Sequence, residues 1–169
     1  DEMSLTREET TMIVQFTTAN FKSIRNAAEL SLLEANITEF PESLIRSQLD
    51  GVGILPALLL YGANGSGKSA VLEALYYLTR LIREPQNAMK EQHCFYGNEE
   101  EAAGFDLLVR NSEHEYEYVL RILKGNVTEE TLFFRNLTDT TYDVVFDRDR
   151  EGVFLGEGLE DTDVSPLTD

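Results

Sequence analysis

The apolar and polar positions first organise at Met12-Ile13-Val14-Gln15-Phe16-Thr17, whose β-branched and aromatic content predicts a strand. Folded structure is expected from about Thr11, with the acidic, polar residues 1–10 disordered. A polar bend at Asn20-Phe21-Lys22-Ser23 leads to Ala28-Glu29-Leu30-Ser31-Leu32-Leu33, which alternates as a strand with one solvent face would, and the two runs are expected to pair. Pro41, Gly51, Gly53 and Pro56 mark the stretch around residues 36–55 as connection, with a short helix expected around Glu42 to Gln48.

Ala57-Leu58-Leu59-Leu60-Tyr61 is a short apolar run between turn residues and predicts a strand buried on both faces. Val71, Leu75, Leu78 and Ile82 then recur at helical spacing, predicting a helix of about four turns from Lys68 to Arg83, stopped by Pro85. Beyond the acidic cluster Glu99-Glu100-Glu101, four strand-like segments follow at Phe105 to Arg110, Tyr116 to Leu123, Val127 to Arg135 and Tyr142 to Phe146. Turns are expected at Gly125-Asn126 and Thr138-Asp139, giving an antiparallel meander. The pattern divides the chain into a P-loop lobe over about 11–92, an antiparallel β region over about 103–155 and a polar tail over 156–169.

Composition narrows the functional classes. An apolar content of 42% over 169 residues can build one core, and no run reaches the roughly 18 to 20 apolar residues of a membrane-spanning helix, so no membrane partner and a cytoplasmic location are expected. The single cysteine, Cys94, allows neither an internal disulfide nor a cysteine cluster for zinc. With 31 acidic against 14 basic residues the formal charge is -17, which repels nucleic-acid phosphates and makes direct DNA binding by this chain unfavourable.

The chemistry lies in Gly62-Ala63-Asn64-Gly65-Ser66-Gly67-Lys68-Ser69, a full match to GxxxxGK[ST] between an expected strand and an expected helix. Glycines let the backbone turn tightly and bring amide hydrogens to phosphate oxygens, while the start of the following helix adds unpaired amides and the positive end of its dipole. Lys68 is expected to contact the β and γ phosphates, and Ser69 to ligate the Mg²⁺ that bridges them. Gly62 to Ser69 are thus the expected contacts for a nucleoside triphosphate, ATP with Mg²⁺.

Hydrolysis needs more: a carboxylate at the end of a second apolar strand and a residue that orients water. Val144-Val145-Phe146-Asp147 is too short a run and is followed by Arg148, so it reads as a hairpin strand. Leu155-Gly156-Glu157-Gly158 lacks the serine of a transporter-type signature. Glu73, one turn beyond Ser69, could approach the metal but more simply complements the helix dipole. His93 and His114 have no partners at metal-ligand spacing, and Gln86 or Gln92 are weak candidates for a metal-proximal and water-proximal glutamine.

The GxNGxGKS form with Asn64 at its third position, and the phrase Phe16 to Ile24 containing Asn20-Phe21-Lys22-Ser23, resemble the N-terminal part of ABC-type ATPase heads of the RecF, SMC and OLD families. Tyr116-Glu117-Tyr118, Val127 to Leu132 and Phe134-Arg135-Asn136 are similar to the middle of bacterial AAA/OLD-like ATPases associated with abortive infection and phage defence. The resemblance implies an α/β fold, the N-terminal lobe of a P-loop NTPase, with a mixed sheet beside the P-loop helix and an antiparallel β subdomain. It implies nucleotide contacts at Gly62, Asn64, Gly65, Gly67, Lys68 and Ser69, and adds Lys22 and Ser23 near the nucleotide. It further implies the N-terminal portion of a longer ATPase or one subunit of a split one, whose partners are a second copy or the remaining ATPase half, and an effector nuclease or toxin. A nucleotide-sensing interaction module that binds ATP without hydrolysing it is the alternative. A small P-loop kinase would need an acceptor lid and arginine cluster that are not found.

Overall fold

The computed structural model describes residues 11–35, 40–85, 99–157 and 159. Their architecture is one seven-stranded sheet with a single long helix across one face. The strands are β1 (Met12–Ala19), β2 (Ala28–Ser31), β5 (Ala103–Arg110), β6 (His114–Leu123), β7 (Asn126–Asn136), β8 (Asp143–Asp149) and β9 (Val153–Leu155), in the order β2-β1-β5-β6-β7-β8-β9. A two-stranded ribbon of β3 (Ile45–Arg46) and β4 (Gly53–Ile54) completes the set, and α1 spans Lys68–Arg83.

Hairpin connectivity sets the topology from β5 onward. Gly125, at φ 77°, turns β6 into β7 beside Lys124, also left-handed at φ 52°, and β5, β6, β7, β8 and β9 pair in chain order, each antiparallel to the next. β1 sits between β2 and β5, so the N-terminal strand joins the same sheet as the meander. The expected mixed sheet is therefore corrected: among the described residues every strand pair is antiparallel, and the P-loop lobe and β region share one sheet.

The physical reason lies at Ala57 to Tyr61, where a strand buried on both faces is expected. The segment is irregular and takes no backbone hydrogen bond from the described residues. Leu58, Leu59 and Tyr61 are 43%, 82% and 88% exposed. A parallel strand needs parallel neighbours to fill both rows of its backbone groups, and no described strand runs beside it in that direction. The short helix expected around Glu42 to Gln48 is also corrected. A 3-10 turn at Pro41–Ser43 is followed by the β3–β4 ribbon, because the Asp50-Gly51 turn, with Gly51 at φ 73°, folds Arg46 back onto Gly53.

The core forms where α1 crosses the sheet. Ala74, Tyr77, Leu78 and Leu81 pack on Phe16, Phe21, Ala103, Phe105, Leu120 and Ile122, all buried. Phe21, Tyr77 and Phe105 form an aromatic cluster with ring centroids 5.5 to 5.7 Å apart. The buried stripe runs through Ala70, Ala74, Tyr77, Leu78 and Leu81, so Ile82, expected on the apolar stripe, faces outward at 55% exposure together with Leu72 and Tyr76.

Candidate nucleotide-binding site

The loop before α1 is built by backbone geometry. Gly62, Gly65 and Gly67 have φ of 151°, 80° and 90°, a region side chains disfavour, so the three glycines permit a path that other residues would resist. Gly67 is the N-cap of α1 in a left-handed conformation, with no side-chain cap bond and no acidic residue in the first helical turn. The first amides are thus not capped by a side chain, and no carboxylate in the first turn offsets the positive dipole end. Residues 62–66 are exposed, and so is Ser69.

Lys68 folds back along this loop. Its Nζ donates to the carbonyl oxygens of Gly62 and Ala63, both at 2.8 Å, and to Ser66 Oγ at 3.3 Å. The ammonium is thereby held inside the curve of the loop. Of the residues expected as nucleotide contacts, Gly62, Ala63, Asn64, Gly65, Ser66, Gly67, Lys68 and Ser69 are consecutive along this loop and the start of α1.

Lys22 lies on the turn after β1 and donates to Glu73 Oε2 at 2.7 Å, which ties the turn to α1 one helical turn beyond Ser69. Glu73 therefore has a partner that the sequence does not announce, since the signal is only an acidic residue on the helix after the glycine loop and a lysine 51 positions earlier. Ser23 shares the Lys22 turn and is exposed, and among the described residues no hydrogen bond joins it to the loop.

The remaining candidates fall away from the loop. Asp147 lies on β8, where its carboxylate accepts a hydrogen bond from Thr131 Oγ1 at 2.6 Å, as a hairpin strand predicts. His114 packs against the rings of Tyr116 and Phe134. Among the described residues no group of three or more His, Cys, Asp or Glu side chains is arranged to hold a metal. Gln86, Gln92, His93 and Cys94 lie outside the described residues, as does most of the expected tail.

Gly156, at the start of the expected polar tail, is held to the sheet: its N–H donates to Val145 O at 2.9 Å, and an added Cβ would overlap the Val144 carbonyl oxygen. The glycine thus serves a close backbone approach at the sheet edge.

A family model described as "AAA domain, putative AbiEii toxin, Type IV TA system" matches residues 58–159, which is more than half of the chain and begins just before the loop. The chain belongs to this AAA-domain family. A search of curated proteins finds no match. The family is one of nucleotide-binding, ATPase-type domains, and the match covers the Gly62 to Ser69 loop, α1 and all of β5 to β9. Among the described residues no helix of the AAA domain is long and apolar enough to cross a membrane.

Proposed function

We propose that the chain binds ATP with Mg²⁺ through Gly62 to Ser69 and is the nucleotide-binding part of an ABC/OLD-like ATPase that controls an effector in phage defence or DNA metabolism. One observation carries the reading. A complete GxxxxGK[ST] loop adopts positive φ at three glycines and ends at an uncapped helix start, a geometry suited to a polyphosphate. Lys68 would supply the charge for the β and γ phosphates, and the exposed Ser69 hydroxyl would ligate Mg²⁺, whose chemistry is to bridge and neutralise those phosphates.

Turnover would require groups contributed by further protein. The apolar Leu58, Leu59 and Tyr61, and the outward stripe of α1 at Leu72, Tyr76 and Ile82, support a surface completed by the remaining ATPase half or a second copy. The toxin in the family's description supports an effector downstream of nucleotide binding. The acidic charge of -17 argues against this region itself holding DNA.

The test is calorimetric titration with ATP and Mg²⁺ on wild type and Lys68→Ala, with turnover followed in the same samples. Saturable binding that falls at least about 100-fold in the variant, with an unchanged unfolding midpoint, is expected, because the substitution removes a phosphate contact at an exposed loop and opens no core cavity. Equal affinity in the two proteins would overturn the assignment.

A further inference from the structure

We infer that Glu73 is a positioning residue for the nucleotide site: it holds the Lys22 ammonium beside the P-loop helix, so that a bound triphosphate meets a second organised cation besides Lys68. The inference rests on the nucleotide reading above.

Lys22 is restrained from three sides. Phe21 and Ile24, both buried, exchange backbone hydrogen bonds of 2.9 and 2.7 Å and close the two-residue turn Lys22-Ser23. The Lys22 ammonium lies 5.7 Å from the centroid of the Phe21 ring, and Glu73 Oε2 accepts its hydrogen bond at 2.7 Å. The backbone of the turn is thus closed by the Phe21–Ile24 pair, and the side chain, which has four rotatable bonds, is held by Glu73 and the Phe21 ring.

The location gives the restraint its meaning. Glu73 lies four residues beyond Ser69, one helical turn of roughly 5 to 6 Å, on the helix whose first amides end the glycine loop. Both members of the pair are about half exposed, at 42% and 50%, and pairs in such a setting add little to folding stability. Ordering a lysine before its ligand arrives does alter affinity, because the rotamer freedom is already lost in the unbound protein. The same bond occupies Glu73 Oε2, and the double-mutant cycle below separates positioning of Lys22 from direct ligation of Mg²⁺.

The experiment is a double-mutant cycle in the full-length protein, with ATP-Mg and ADP-Mg titrated by calorimetry into wild type, Lys22→Ala, Glu73→Gln, the double variant and Lys68→Ala. Glu73→Gln is expected to weaken ATP about 3- to 10-fold and ADP less, and to leave the thermal midpoint within about 3 °C. In the Lys22→Ala background the same change should alter ATP affinity less than about twofold. Unchanged or tighter ATP binding by Glu73→Gln overturns the inference. So does a full loss in the Lys22→Ala background, which would place Glu73 on the metal itself. Loss of binding in Lys68→Ala beside an inert Glu73→Gln defeats only the positioning role, whereas no ATP binding by the wild type defeats the nucleotide reading as well.

Discussion

At the scale of single residues, the buried charges and the glycines carry the sharpest constraints. Glu115 is 2% exposed and accepts from Arg110 Nε and Nη2 at 3.0 and 2.5 Å, from Arg135 Nε and Nη2 at 2.8 and 2.5 Å, and from the Tyr142 hydroxyl at 2.5 Å. Arg110, also 2% exposed, reaches Asp50 at 3.1 Å and so ties the β3–β4 turn to the sheet. The network is fully partnered around one carboxylate, and removing that charge leaves Arg110 buried without its closest counter-charge. Glu115→Gln is therefore expected to cost about 3 kcal/mol, read as a lower urea midpoint with an unchanged slope. Gly156 poses a steric constraint instead. Gly156→Ala must push β9 away from the Val144 carbonyl, and a loss of about 1 to 3 kcal/mol is expected in the same measurement. Neither role could be read from the chain: the partners of Glu115 come from two strands, β5 and β7, and from Tyr142 just before β8, and the approach at Gly156 exists only once β8 and β9 have paired.

At the scale of elements, α1 shows how far periodicity reaches. Its extent, Lys68–Arg83, agrees with the sequence expectation, because the glycine loop and Pro85 are local signals. Which apolar stripe is buried was not local, since Leu72, Tyr76 and Ile82 are as apolar as the residues that face the sheet. The two faces should respond differently to substitution. Leu78→Ala, at a fully buried position in the core, is expected to cost about 2 to 5 kcal/mol. Leu59→Asp, at 82% exposure, should stay within about 0.5 kcal/mol of wild type in this chain. Denaturant unfolding of both variants checks the contrast, and a large loss in Leu59→Asp would mean that Ala57 to Tyr61 is a packed strand after all.

At the scale of the whole molecule, acidity governs pH behaviour. Burial by itself would raise the Glu115 carboxyl, but the hydrogen bonds from Tyr142, Arg135 and Arg110 and the Arg110 charge more than offset it and hold it below its ordinary value of 4.5. A carboxylate lowered in the folded state contributes stability above its unfolded value, and that contribution is lost as pH falls from about 4.5 through the lower folded value. On the alkaline side the Tyr142 hydroxyl, raised to about 12 by burial and by its bond to Glu115, favours the fold below pH 10 and ceases to do so as pH climbs from 10 to about 12. Unfolding midpoints measured across pH should fall in both windows, and Glu115→Gln should flatten the acid limb. What the sequence alone determined is what short-range physics encodes: the glycine loop, the bounds of α1, the alternating strands from β5 to β8, and the acidic charge. What only the tertiary structure decided is long-range: the joining of β1 to β5 across some ninety residues, the choice of face on α1, the exposure of Ala57 to Tyr61, and the Lys22–Glu73 and Glu115 contacts. Those depend on which surfaces meet, and an apolar residue states that it favours burial without stating against what.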